Sequence, residues 1–283
     1  MTRQARNGRG QRSPLSSTAL HTTLVLASVV AVFPVAWVTL TSLKTDRNTW
    51  TQPGELGSLG FDNYTQVLGE TEFLTWFANS LIVAGATTVF AVLIAATAGY
   101  AASRMRFPGK RPLMWSFLIT QMFPAAVLIV PLYNVLSDLG LLDSYGGLVL
   151  ACSTVAVPYC AWMLKGYFDT IPISIDEAGR VDGLTPFGTF WRLIVPLAKP
   201  GIAVTVFYSF ITAWGEVAFA GVFMQSQGNY TLPVGMATFV SDFKAEWGLL
   251  TAGSVLVMVP SAVVFFLVQR HLVAGLTAGG VKS

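Results

Sequence analysis

Few side chains in this chain could do chemistry. Cys152 and Cys160 lie in one apolar run with no histidine or second cysteine pair at metal-ligand spacing, so they read as small packing residues. The two histidines, His21 and His271, sit near opposite ends and support neither a metal site nor catalysis. There is no GxxxxGK[ST] stretch to cradle a nucleotide phosphate and no nucleophile–base pair. Glu216 stands inside an apolar stretch, where a carboxylate costs a few kcal/mol unless paired or hydrated. It is expected to face a cavity or another subunit. No second acid or histidine lies at that depth to continue a proton relay.

The densest local signals fall in residues 165–200. Ser174 followed by Glu177 is a capping box, which would start a helix by satisfying two orphan backbone donors. Gly183 would end that helix as a C-terminal cap. Thr185 would cap a second helix with Pro186 at its first position, and Pro196 and Pro200 would break the chain beyond it. Asp176, Glu177, Arg180 and Asp182 would be available for polar contacts. A helix–glycine–helix of this kind is either a docking device or a well-capped connector, and spacing alone does not choose.

The elements that hold this segment are membrane spans. Hydrophobic residues make up 53% of the chain and charged residues 11%, against roughly 25% charge in a soluble domain. A bilayer core needs about 20 apolar residues in a helix. Six stretches qualify: residues 19–43, 78–102, 113–136, 146–164, 201–224 and 249–268. The fold expected is an all-α membrane protein of six transmembrane helices. Such long runs lack the short alternation of a membrane barrel. Pro34, Pro124, Pro131, Pro158 and Pro260 lie in these spans and could kink them. The first stretch is too long for a signal-peptide core and reads as a retained span.

Basic residues give the orientation. Arg3, Arg6, Arg9, Arg12, Arg104, Arg106, Lys110, Arg111, Lys165, Arg180, Arg192, Lys199, Arg270 and Lys282 all fall on one side. Only Lys44, Arg47 and Lys244 fall on the other, so both termini are expected in the cytoplasm. The expected layout is a basic tail over 1–18, a first span over 19–43 and an external loop over 44–75. A five-helix core over 76–270 and a cytoplasmic tail over 271–283 complete it.

Glu177-Ala178-Gly179, Asp182-Gly183, Phe190, Ile194, Pro196 and Pro200 together resemble the EAA loop of binding-protein-dependent ABC importer permeases. Gly179 departs from the pattern, which usually has a second alanine there. The resemblance extends over about 76–270, including Asn79-Ser80-Leu81. Within the family the chain resembles the G-type membrane subunit of maltose and maltodextrin importers. The residues that carry this likeness are Glu216-Val217-Ala218, Tyr230-Thr231-Leu232, Val234-Gly235-Met236 and the end from Leu272 to Ser283.

That resemblance implies a type I permease fold in the bacterial inner membrane and no catalysis or cofactor in this subunit. It implies a second, F-type permease, two copies of a cytoplasmic ATPase that binds ATP and magnesium, and an external sugar-binding protein. Asp176, Glu177, Ala178, Gly179, Arg180, Asp182 and Gly183 would couple to the ATPase. Ser241, Asp242, Phe243, Lys244, Glu246 and Trp247 would reach into the binding protein, and the tail after Arg270 would insert between the ATPase subunits. Trehalose or another oligosaccharide is the nearest alternative cargo. A cationic pore would argue for a phosphate, but no Lys or Arg lies mid-span. A stand-alone secondary carrier would need intramembrane ion ligands, which apart from Glu216 are absent.

Overall fold

The computed structural model describes residues 14–45, 57–240 and 246–278. Among these the chain is helical, with one isolated β-bridge pairing Lys44 and Leu59. The helices are α1 (Pro14–Ser42), α2 (Asp62–Glu70), α3 (Phe73–Arg104), α4 (Lys110–Thr120), α5 (Ala125–Asp138) and α6 (Tyr145–Thr170). Next come α7 (Ile173–Val181), α8 (Pro186–Thr189), a π-helical stretch (Phe190–Ile194), α9 (Val195–Leu197) and α10 (Lys199–Trp214). The short α11 (Ala220–Phe223) and α12 (Leu232–Ala237) precede the long α13 (Trp247–Ala278).

Four helices are long and apolar enough to cross a membrane unbroken: Ser17–Ser42, Phe73–Arg104, Tyr145–Thr170 and Trp247–His271. Two bent pairs bring the number to six if each pair is one span. The pairs are α4 with α5, bent by 109°, and Pro186–Leu197 with α10, bent by 82°. Two stretches expected as continuous helices are broken, one at the first of these bends and one beyond the end of α10. The stretch 113–136 divides at residues 121–124, where Pro124 cannot donate to the ladder of the preceding turn. The stretch 201–224 stops at Trp214 and resumes only at Ala220. Pro34, Pro131, Pro158 and Pro260, in contrast, lie inside unbroken helices.

Helices α3 and α6 form the axis of the bundle. Ala84, Ala91 and Ala95 on α3 and Ala156 and Ala161 on α6 are fully buried, small enough to let the two backbones approach closely. A hydrophobic core lies toward each end of this pair. One gathers Phe73, Trp76, Leu148, Phe219, Phe223 and Leu232. The other gathers Tyr100, Leu164, Phe168, Phe190 and Ile194, and it lies under α7 and α8. Helix α1 packs on α13 and leaves most of its apolar surface exposed, as a lipid-facing helix must.

Candidate functional site

Helix α7 starts one residue before the expected capping box. Pro172 occupies the N-cap position and its carbonyl accepts from the Ile175 N–H at 3.2 Å, so the first turn is already closed when Ser174 is reached. No side chain caps this helix, and the Ser174–Glu177 box does not form. The other end matches expectation. Gly183 takes φ +79°, Leu184 N–H donates to the Gly179 carbonyl at 2.9 Å and Gly183 N–H to that of Arg180 at 3.0 Å. Those two bonds are a Schellman cap, which satisfies carbonyls the helix would otherwise orphan. Thr185 then caps α8, its Oγ1 accepting from Gly188 N–H at 3.1 Å with Pro186 next in line.

The residues 176–183 divide by face. Asp176 and Gly179 point inward and are buried, whereas Glu177, Ala178, Arg180, Asp182 and Gly183 are exposed. Asp176 accepts from Arg104 Nε at 2.9 Å and from the Tyr100 hydroxyl at 2.6 Å, and both charged side chains are 8% accessible. Arg104 also donates through Nη2 to the Ile171 carbonyl at 2.7 Å. The last turn of α3 is thus bonded both to the α6–α7 junction and to the body of α7. Gly179 explains its own departure from alanine: a Cβ there would come within 2.8 Å of Thr189 Oγ1 and 3.1 Å of Leu193 Cδ1. Glycine lets α7 lie directly on α8 and the π-helical stretch. Around the polar outward face Ile173, Val181 and Phe187 stand open, Val181 at 88%.

A second cluster lies at the opposite end of α3. Trp76 Nε1 donates to the Gln227 carbonyl at 3.1 Å, and Asn79 Nδ2 to those of Gly228 and Tyr230 at 2.8 and 2.9 Å. Asn79 Oδ1 accepts from the Tyr145 hydroxyl at 2.7 Å, and Ser80 Oγ accepts from Leu232 N–H at 2.7 Å. These bonds clamp the loop ahead of α12. Its continuation through Ser241, Asp242, Phe243 and Lys244 lies outside the described residues. Glu246 N–H donates to the Phe239 carbonyl at 2.9 Å, and Trp247, half exposed, opens α13.

Asp143 fastens the same end of the molecule. Its carboxylate accepts from Gln225 and Ser226 N–H at 2.9 and 3.1 Å and also pairs with the Ser226 hydroxyl. Burial pushes its carboxyl up, but the bonds from Ser226 and Gln225 outweigh that and hold it at about 2. Sequence reading passed over Asp143; its positive φ of 53°, tolerated by aspartate better than by most residues, belongs to the turn that aims it.

Glu216 is found in the break between α10 and α11. Oε1 accepts from Phe219 N–H at 2.7 Å and Oε2 from Ala220 N–H at 2.9 Å, so the carboxylate caps the new helix. Its charge is met by backbone donors of its own chain, in a broken span rather than within a continuous helix.

These features have counterparts in known proteins. Residues 88–277 match the family described as binding-protein-dependent transport system inner membrane component. The chain belongs to this family. It is 33% identical over 270 residues to the maltodextrin transport system permease protein MdxG of Bacillus subtilis (strain 168), covering 95% of this chain and 97% of that one. It is 36% identical to the trehalose transport system permease protein SugB of Mycobacterium tuberculosis (strain CDC 1551 / Oshkosh), over 89% and 93% of the two chains. A chain of a bacterial ABC transporter involved in the import of alginate has the same fold, at TM-score 0.78 and 22% identity over 94% of this chain and 99% of that one. The protein is thus an inner-membrane ABC permease, helical over the described residues, of a family whose members are transporter subunits and not enzymes.

Proposed function

We propose that this chain is one of two permease subunits of an ATP-driven importer for a neutral sugar, maltose or maltodextrin first, with trehalose the runner-up. The names of its relatives favour a sugar, and the absence of any mid-span Lys or Arg favours a neutral one. An F-type permease would complete the membrane unit, and two copies of a cytoplasmic ATPase would bind ATP and magnesium. An external binding protein would deliver the sugar to the loop over 241–244, with Glu246 and Trp247 behind it. Both termini would be cytoplasmic, and the tail from 271 would lie between the ATPase subunits.

The observation that carries this reading is the double nature of α7. Its inner face is tied to α3 by the buried Arg104–Asp176–Tyr100 bonds, and its outer face presents Glu177, Ala178, Arg180, Asp182 and the open Val181. A helix fixed on one side and open on the other can receive a push and pass it on. Closure of the ATPase pair would displace α7, and Arg104 would carry the displacement into α3 and the core beneath it. ATP drives the change by binding one of the two states better than the other. Asp176 and Gly179 hold the lever, while Glu177, Ala178, Arg180, Asp182 and Gly183 meet the ATPase.

Gly183→Asp tests the coupling. It puts a side chain at φ +79° and a new charge on the docking face. The expected result is a normally inserted protein without ATP-dependent uptake; normal uptake contradicts the docking role.

A further inference from the structure

Non-helical backbone at membrane depth is tolerated where it is covered by protein or lines a water-filled route. Among the described residues two breaks interrupt the expected spans, and both are open. Met122 and Phe123 in the first break are 82% and 53% exposed, and Val217 in the second is 49% exposed. Helix α5 begins beyond the first break with no side chain capping it. The two breaks approach the same strip of α6. Gln121, itself exposed, donates from Nε2 to the Val155 carbonyl at 3.1 Å, while Phe219 and Ala220 at the far side of the second break share one buried core with Cys152, one turn away.

Tyr159 lies on the same α6 face, one turn past Val155. Its ring stacks on Tyr208 of α10 with centroids 3.9 Å apart and planes at 27°. Tyr159 is 37% exposed, and its hydroxyl has no hydrogen-bond partner among the described residues. It lies within the span, about 20 Å from the start of α6 and about 9 Å before Lys165, at 1.5 Å per residue. Following Tyr208 along α10, Thr212 and then Gly215 continue the face into the second break. An open aromatic plate, an unspent hydroxyl, a side-chain amide and unwound backbone are the groups that recognise a polyhydroxylated ring. The plate covers its apolar face and the polar groups take its hydroxyls.

We propose that Tyr159 and Tyr208, with Gln121 and the backbone of residues 215–218, form a sugar-contacting surface of the transport route in this subunit. Glu216 is a positioning residue here, since both its oxygens are committed to holding the break open. The surface binds one neutral pyranose ring by stacking, so this subunit touches the cargo directly.

The inference rests on the sugar-importer reading, and the test separates the two. The full complex is reconstituted in vesicles and uptake of radiolabelled maltose and trehalose is measured. If neither sugar accumulates with ATP, it is the importer reading that fails. With the sugar that is transported, Tyr159→Cys is treated with a charged, membrane-impermeant maleimide, with Val30→Cys on the exposed face of α1 as a lipid-facing control. Native Cys152 and Cys160 are buried and contribute little background. Tyr159→Cys is expected to react and Val30→Cys to remain silent. Sugar at about ten times the concentration that half-protects the thiol should slow labelling roughly tenfold, because only the unoccupied fraction reacts. In a Thr212→Cys background, Tyr159→Ala is expected to raise roughly fivefold the sugar concentration that half-protects the thiol from labelling, the equivalent of an aromatic contact of about 1 kcal/mol. Unreactive Tyr159→Cys in an assembled, transporting complex overturns the proposal, and so does labelling that saturating sugar leaves unchanged. If Tyr159→Cys fails to assemble, Thr212→Cys on the same face decides by the same two outcomes.

Discussion

Removing the carboxylate of Asp176 should free α7 from the bundle while leaving the bundle intact. The side chains of Asp176 and Arg104 are each 8% accessible, and the carboxylate also takes the Tyr100 hydroxyl at 2.6 Å. Asp176→Ala leaves an uncompensated guanidinium in a dry site, which costs about 3–5 kcal/mol. One end of the pair lies at the edge of the membrane, so the lower figure applies. At 1.4 kcal/mol per decade, about 3 kcal/mol raises the population with α7 detached roughly a hundredfold. Hydrogen exchange over residues 173–181 in the purified complex reads that population directly, and ATP-dependent uptake reads its consequence. Exchange should rise by about two decades and uptake should fall, while α3 and α6 keep their protection. Replacing both partners, Arg104→Met with Asp176→Leu, should recover most of the protection, because an apolar pair leaves no stranded charge. Unchanged exchange and normal uptake in Asp176→Ala would refute the idea that this ion pair holds the lever.

Two further outcomes follow from capping and from proton linkage. Glu216→Ala removes the acceptor of two backbone N–H groups at the start of α11 and should lower stability by about 1–2 kcal/mol, with Glu216→Gln intermediate, measured as thermal unfolding of the purified complex. Asp143 titrates at about 2 against an ordinary 3.8, so its contribution is fully present above the ordinary value and is lost as pH falls toward the lower one. Protection of residues 223–229 should therefore decline below about pH 4 in the native protein, and Asp143→Asn should flatten that dependence.

The sequence makes the long spans legible because apolar runs of about 20 residues admit few alternatives. Hydropathy does not carry direction, so it merged α4 with α5 and ran α10 into α11. Nor did proline mark the breaks reliably: Pro124 starts a new helix, whereas Pro34, Pro158 and Pro260 are absorbed into unbroken ones. The helices outlast the apolar runs where polar residues continue them, as in α6, which goes on through Lys165 and Asp169 to Thr170.

The coupling segment shows the same division. Gly183 and Thr185-Pro186 are local signals and read correctly, since their partners lie within five residues. Asp176 and Glu177 are adjacent acids of one short helix, and no local rule says which turns inward. Arg104, 72 residues upstream, decides it. The outer clamp was hidden for the same reason. Asn79 could be seen as a polar residue at the start of an apolar run, but its partners Gly228 and Tyr230 are about 150 positions away. The role of Glu216 needed the break itself, because two of its helix's own N–H groups become free only once α10 has ended.

The sharpest test is disulfide trapping between Val181→Cys, 88% exposed at the tip of α7, and a cysteine placed in turn along the cleft of the partner ATPase. A crosslink that forms in the assembled complex, stops sugar uptake and releases it again on reduction is the expected result. A complex that accumulates sugar with ATP while Val181→Cys stays uncrosslinked to every ATPase position would contradict it.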